Sequence, residues 1–133
     1  MSDPQNDYMV GAIAVVNSAG SPVVPGTSVL WAWPFEQQNE LGGQITPKHP
    51  DNLEPHFPRN LGPAAHTTLV AVATDAPLTA NQTKRLAIMA QDGLARALRP
   101  VHAPQDGDTV FALSTTGTSD AAAVVSIEIL ARL

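Results

Sequence analysis

An α+β domain is predicted by three observations: β-branched apolar runs flanking a proline-rich stretch, one amphipathic stripe of helical period, and a composition that supports a core. The chain has 133 residues, 44% of them hydrophobic and only 14% charged. A single domain of that length buries about two-thirds of the surface it exposes when unfolded.

The elements follow in chain order. Met9 to Val16 is rich in Val and Ile and stops at the turn formers Asn17 to Pro22, which predicts a buried strand and a loop. Ser28 to Trp33 is a weaker second strand, ended by Pro34. Residues 34–63 hold six of the twelve prolines and three of the nine glycines, a composition that sustains neither helix nor ladder. About thirty residues without regular structure mark a functional loop or a processing linker. Thr67 to Ala73 is an apolar run without strict alternation, as in a central strand covered on both faces. Thr79 and Gln82 then have capping-box spacing, and Leu86, Ala90, Leu94, Ala97 and Leu98 fall on one stripe. Lys84, Arg85, Gln91, Asp92 and Arg96 lie off it, and the helix should end at Arg99 because Pro100 follows. A strand from Thr109 to Thr115 comes next, and Ala121 to Leu133 is expected as a second helix capped by Ser119 or Asp120. The chain thus divides into strands over 1–33, a proline-rich linker over 34–66, and a strand–helix–strand–helix region over 67–133.

Composition removes several function classes. With 7 Lys+Arg against 12 Asp+Glu the net charge is −5, so no phosphate-neutralising field is present and nucleic acid is not the expected partner. The absence of cysteine removes disulfides, thiolate nucleophiles and cysteine-ligated zinc together. The N-terminus is polar and acidic where a secretory signal is basic and then apolar, and no run reaches about 18 apolar residues. A soluble, cytoplasmic protein with no membrane partner is expected. His49, His56, His66 and His102 show no metal-ligand spacing, and no glycine-rich phosphate loop occurs, so neither metal nor cofactor is expected.

Three places could carry chemistry or contacts. The step His66-Thr67 stands where the linker meets the central strand. A threonine hydroxyl needs a base, and a threonine at a free chain terminus has one in its own α-amine, with a pKa of about 7.7 to 8. On spacing alone, Thr67 and Thr68 read first as β-branched residues opening a strand. Asp106-Gly107-Asp108 puts two carboxylates on one face of an extended chain, where close like charges raise one carboxyl pKa and suit proton transfer or binding of a cationic amine. By itself it reads as an Asp-Gly turn. Asp75, before Ala76-Pro77, reads as a turn residue, and Trp31, Trp33 and Phe35 as a core or interface trio.

Taken together, Val10 to Asn17, Trp33 to Glu36 with Leu41 to Gly43, Thr67 to Leu78, Lys84 to His102 and Asp106 to Leu113 resemble the DmpA-like aminopeptidases (L-aminopeptidase/D-esterase). The relatives of that family include β-peptidyl aminopeptidases and a nylon-oligomer hydrolase. The resemblance runs from about residue 9 to 117, and it corresponds to the C-terminal third of such a protein. It implies a proenzyme that cuts its own backbone just before a Ser or Thr, freeing an N-terminal nucleophile. The implied fold is a four-layer αββα sandwich with a mixed sheet and about two helices in this part. Residues 1–33 would correspond to the end of the large subunit and 67–133 to the small one. Carried onto this chain, the cut bond is His66-Thr67, the nucleophile Thr67, and Asp106 and Asp108 the acidic pair that orients its amine or receives the substrate's amine. His66 stands where the family carries Asn or Gly. The implied activity is hydrolysis of N-terminal residues or small amides, with a peptide or small amide as substrate. The family's lysine, tyrosine and asparagine belong to a large subunit that this chain mostly lacks. The alternative is therefore a truncated, inactive homologue serving as an assembly subunit. Exposure of Trp31, Trp33 and the Met9 to Val16 strand would drive association, as a homo-oligomer or with the missing large subunit.

Overall fold

The computed structural model describes residues 8–45 and 66–116. The helix expected over 121–133 and residues 46–65 of the proline-rich stretch lie outside them. The described elements are β1 (Val10–Asn17), a single 3-10 turn (Trp33–Phe35), β2 (Thr67–Thr74), α1 (Ala80–Ala97) and β3 (Thr109–Ser114). The three strands form one sheet in the order β1-β2-β3. β2 and β3 run parallel, from Leu69 opposite Thr109 to Thr74 opposite Ser114. Parallel neighbours need a crossover, and α1 supplies it. The class is α+β, with one α-helix among the described residues.

Contacts divide the chain into two compact units, and the described part of the first comprises residues 8–15, 69–91 and 109–116. Its core holds Val70 and Val72 of β2, Ala76, Leu78, and Leu86 of α1. Strand alternation sends Leu69, Phe111 and Leu113 to the opposite face, where they are exposed. The helix starts where the sequence places it: the Thr79 N–H donates to Gln82 Oε1 at 2.9 Å and the Gln82 N–H to Thr79 Oγ1 at 3.3 Å, a reciprocal cap. Asp75 is a structural residue, its Oδ1 accepting the Met9 N–H at 2.8 Å.

One expectation is corrected in β1. The Met9 to Val16 run is a strand, but residues 11–17 are exposed rather than buried, with Ile13 at 70% and Val15 at 67% of full exposure. An apolar β-branched run specifies extended backbone. Whether a second layer covers it depends on chain elsewhere.

The second unit comprises residues 16–45, 66–68 and 92–108 in its described part. Ala19, Val24, Leu94, Leu98 and Ala103 are its buried apolar residues. Ser21 and Arg99 exchange two backbone hydrogen bonds of 3.0 Å each. Beside them Gly20 approaches the chain so closely that a Cβ there would lie 1.8 Å from the Pro100 carbonyl oxygen.

The strand expected over Ser28 to Trp33 is not formed. Instead the Val24 N–H donates to Val29 O and the Trp31 N–H to Pro22 O, closing a turn around Gly26, whose φ is +74°. Pro25-Gly26-Thr27-Ser28 is turn chemistry, and it outweighs the short apolar run that follows. The Trp33 and Phe35 amides then bond Leu30 O and Ala32 O in tight turns. The Glu36 carboxylate gathers three backbone amides, from Leu41, Gly43 and Gln44, at 2.8, 2.8 and 3.2 Å. Gly42 and Gly43 make this possible with φ of +89° and +65°. The aromatic trio meets two cations: Arg99 sits 4.4 Å from the Trp31 ring centre and Arg96 5.0 Å from that of Phe35.

Candidate active site

The second unit brings the sequence-derived candidates His66, Thr67, Asp106 and Asp108 into one place. His66 bridges to Asp106 in parallel fashion just before β2 begins. The Gly107 N–H donates to the His66 carbonyl oxygen at 2.7 Å, and the Thr68 N–H donates to Asp108 Oδ1 at 2.9 Å. The Asp-Gly-Asp loop therefore holds the backbone on both sides of residue 67. Thr67 is half-buried, whereas Thr68, one step along the pleat, is fully buried. A Cβ built on Gly107 would lie 2.7 Å from Thr67 Oγ1, so the hydroxyl fills the space that the glycine leaves.

Both carboxylates are engaged with backbone. Asp106 Oδ1 accepts the Ala19 N–H at 3.2 Å and its Oδ2 the Ala103 N–H at 3.0 Å. Asp108 is almost wholly buried, with 2% of its side chain exposed. Its Oδ2 accepts the His102 N–H at 3.3 Å and lies 2.8 Å from His102 Nδ1. His102 holds a left-handed φ of +54° that few non-glycine residues adopt. These are the bonds of a clamp, three chain segments tied to two carboxylates that flank one glycine.

Two participants were missed by sequence reasoning. His102 was considered only as a metal ligand, although it lies six residues before Asp108, within reach of a loop that doubles back. Gly107 was read as turn punctuation, whereas its lack of a side chain and its amide are what the site uses. Among the described residues no group of three or more His, Cys, Asp or Glu is arranged to hold a metal ion. A shallow cleft in the first unit, lined among others by Leu78, Thr83, Lys84, Ala112 and Ser114, contains none of the candidate residues. No described helix is long and apolar enough to cross a membrane.

A short acidic loop clamping the head of a strand that opens on a hydroxyl residue is an arrangement suited to nucleophilic chemistry at a backbone junction. Comparison with known proteins gives the class a family: the sequence model of Peptidase family S58 matches residues 1–132, and the chain belongs to that family. An uncharacterized aminopeptidase of Mycobacterium tuberculosis is 41% identical over 122 residues, covering 84% of this chain and 33% of the relative. A counterpart in Mycobacterium leprae, also named an uncharacterized aminopeptidase, is 40% identical over 126 residues, covering 90% and 33%. The chain thus spans about a third of the length of the curated relatives it matches.

Proposed function

We propose that this chain is the nucleophile-bearing part of a self-processing aminopeptidase, which cuts its own His66-Thr67 bond and then hydrolyses N-terminal residues or small amides. One observation carries the reading: Asp106-Gly107-Asp108 is hydrogen-bonded to the backbone on both sides of Thr67, through His66 O and the Thr68 N–H. Family membership and the names of the mycobacterial relatives support the peptidase class.

In this reading scission gives Thr67 a free α-amine, which is partly neutral near pH 7 and can accept the proton of its own Oγ1 as that oxygen attacks a substrate carbonyl. An ester forms on Oγ1, the substrate's amine leaves with the proton, and water then hydrolyses the ester. Asp106 and Asp108 act by position, since their oxygens fix the chain segments around residue 67. In the same reading the walls of the substrate pocket come from a large-subunit partner; the chain itself spans about a third of its relatives' length.

Intact-mass spectrometry of the full-length protein tests the reading. A break between 66 and 67 is expected, with Thr67→Ser still cleaving and Thr67→Ala remaining whole. Scission of Thr67→Ala at that bond would overturn it. The partial coverage of the relatives also favours a second reading, an inactive assembly subunit. Hydrolysis of an amino-acid nitroanilide by the isolated chain would exclude that alternative.

A further inference from the structure

We infer that the backbone N–H of Gly107 is the oxyanion donor for scission of the His66-Thr67 bond; the inference rests on the processing reading above and assigns one of its catalytic groups. The carbonyl that must be attacked is that of His66, and its oxygen already receives the Gly107 N–H at 2.7 Å. This is the short end of the range for an amide donor, and the bond belongs to the parallel bridge that pairs His66 with Asp106.

The nucleophile and the donor occupy neighbouring space. Thr67 Oγ1 stands 2.7 Å from where a Cβ on residue 107 would be, so only glycine leaves room for the hydroxyl where it lies beside the loop that carries the amide. The loop carrying the amide is itself held. Asp106 Oδ2 accepts the Ala103 N–H, the Asp106 N–H donates to Ala103 O at 2.8 Å, and Asp108 is tied to Thr68 and His102. A donor fixed in this way does not have to reorganise when charge appears.

The step balances as follows. Thr67 Oγ1 bonds the His66 carbonyl carbon, and the carbonyl pair moves onto the oxygen facing Gly107. The C–N bond then breaks, nitrogen keeping the pair and taking the hydroxyl proton. The product is an ester of His66 on Thr67 Oγ1 with a free α-amine. Water hydrolyses the ester, leaving the His66 carboxylate and the restored hydroxyl.

The decisive variant, made in the full-length protein, replaces Gly107 by glycolic acid, which exchanges the N–H for an ester oxygen and adds no atoms. Scission at 66–67, followed by intact mass, is expected to slow by about 10²- to 10³-fold with the circular dichroism spectrum unchanged. Scission at the parent's rate overturns the inference. If the parent itself stays whole, the processing reading has failed instead, so the two failures are distinguishable. Should the ester form not fold, the uncleaved Thr67→Ala protein decides by nuclear magnetic resonance. A scalar coupling through the hydrogen bond between Gly107 nitrogen and the His66 carbonyl carbon is expected, and its absence overturns the inference.

Discussion

Gly107 and Asp108 show how much of the site depends on single atoms. Gly107→Ala introduces a Cβ 2.7 Å from Thr67 Oγ1, too close for the hydroxyl to stay. A displacement of about 1 Å can cost about 10²-fold in rate, so Gly107→Ala should slow scission by that order with little change in melting temperature, as read by intact mass beside a thermal melt. Asp108→Asn is a different experiment. Each Asp108 oxygen accepts a backbone amide, and an amide side chain offers only one accepting end. With the side chain 98% covered, one N–H is left facing another, and a loss of about 1–3 kcal/mol is expected from denaturant unfolding. Thr67, Asp106 and Asp108 stood out only through the family resemblance, since by spacing alone the first reads as a β-branched strand residue and the other two as parts of an Asp-Gly turn. The hydrogen bonds of the two carboxylates were not legible, because the partners Ala19, Thr68, His102 and Ala103 contribute backbone N–H groups that any residue except proline has.

At the scale of elements, α1 and the residue 36–44 loop separate what local pattern can specify from what it cannot. The start of α1 was readable because the Thr79/Gln82 cap closes within four residues, and Thr79→Ala should lower stability by about 1 kcal/mol. The residue 28–33 segment was misread because its turn draws on Pro22 and Val24, outside the apolar run. Within the loop, Glu40 offers a pH test. Its exposed carboxylate accepts the Gln38 and Gln37 amides, and these bonds, the Gln38 one foremost, hold its pKa below the ordinary glutamate range. A depressed folded pKa means that the group's stabilisation is present above the unfolded pKa and is lost as pH falls through the folded one. The amide signals of Gln37 and Gln38 should therefore titrate together, at lower pH than a free glutamate. Titration at or above the ordinary value would refute the assignment. Gly20→Ala tests the second unit's packing, since the added methyl meets the Pro100 carbonyl. A loss of at least about 1–3 kcal/mol is expected.

For the whole molecule the informative feature is exposed apolar surface in the first unit. Leu69, Phe111 and Leu113 share one face of the β2–β3 pair, and Met9, Ile13 and Val15 are exposed on and beside β1. Soluble chains rarely leave such groups together in water, and the curated relatives are three times as long. The isolated chain should bind an apolar fluorescent dye. Phe111→Lys with Leu113→Lys should reduce that signal while leaving the melting temperature nearly unchanged, because both sites are already solvated. The strands at Val10–Asn17, Thr67–Thr74 and Thr109–Ser114 and the helix between the last two were accessible from pattern alone, since periodicity reports on the element that carries it. Exposure of β1 was not, because the same Val and Ile run suits a strand with or without a neighbour above it.

The pleat at the head of β2 also makes a choice between twins. Thr67 and Thr68 are chemically identical, yet the second is sealed in the interior and its hydroxyl has no hydrogen-bond partner. A reagent that acylates activated hydroxyls should mark the first and spare the second, and a chain trimmed one residue too far would begin with an alcohol that no substrate can reach.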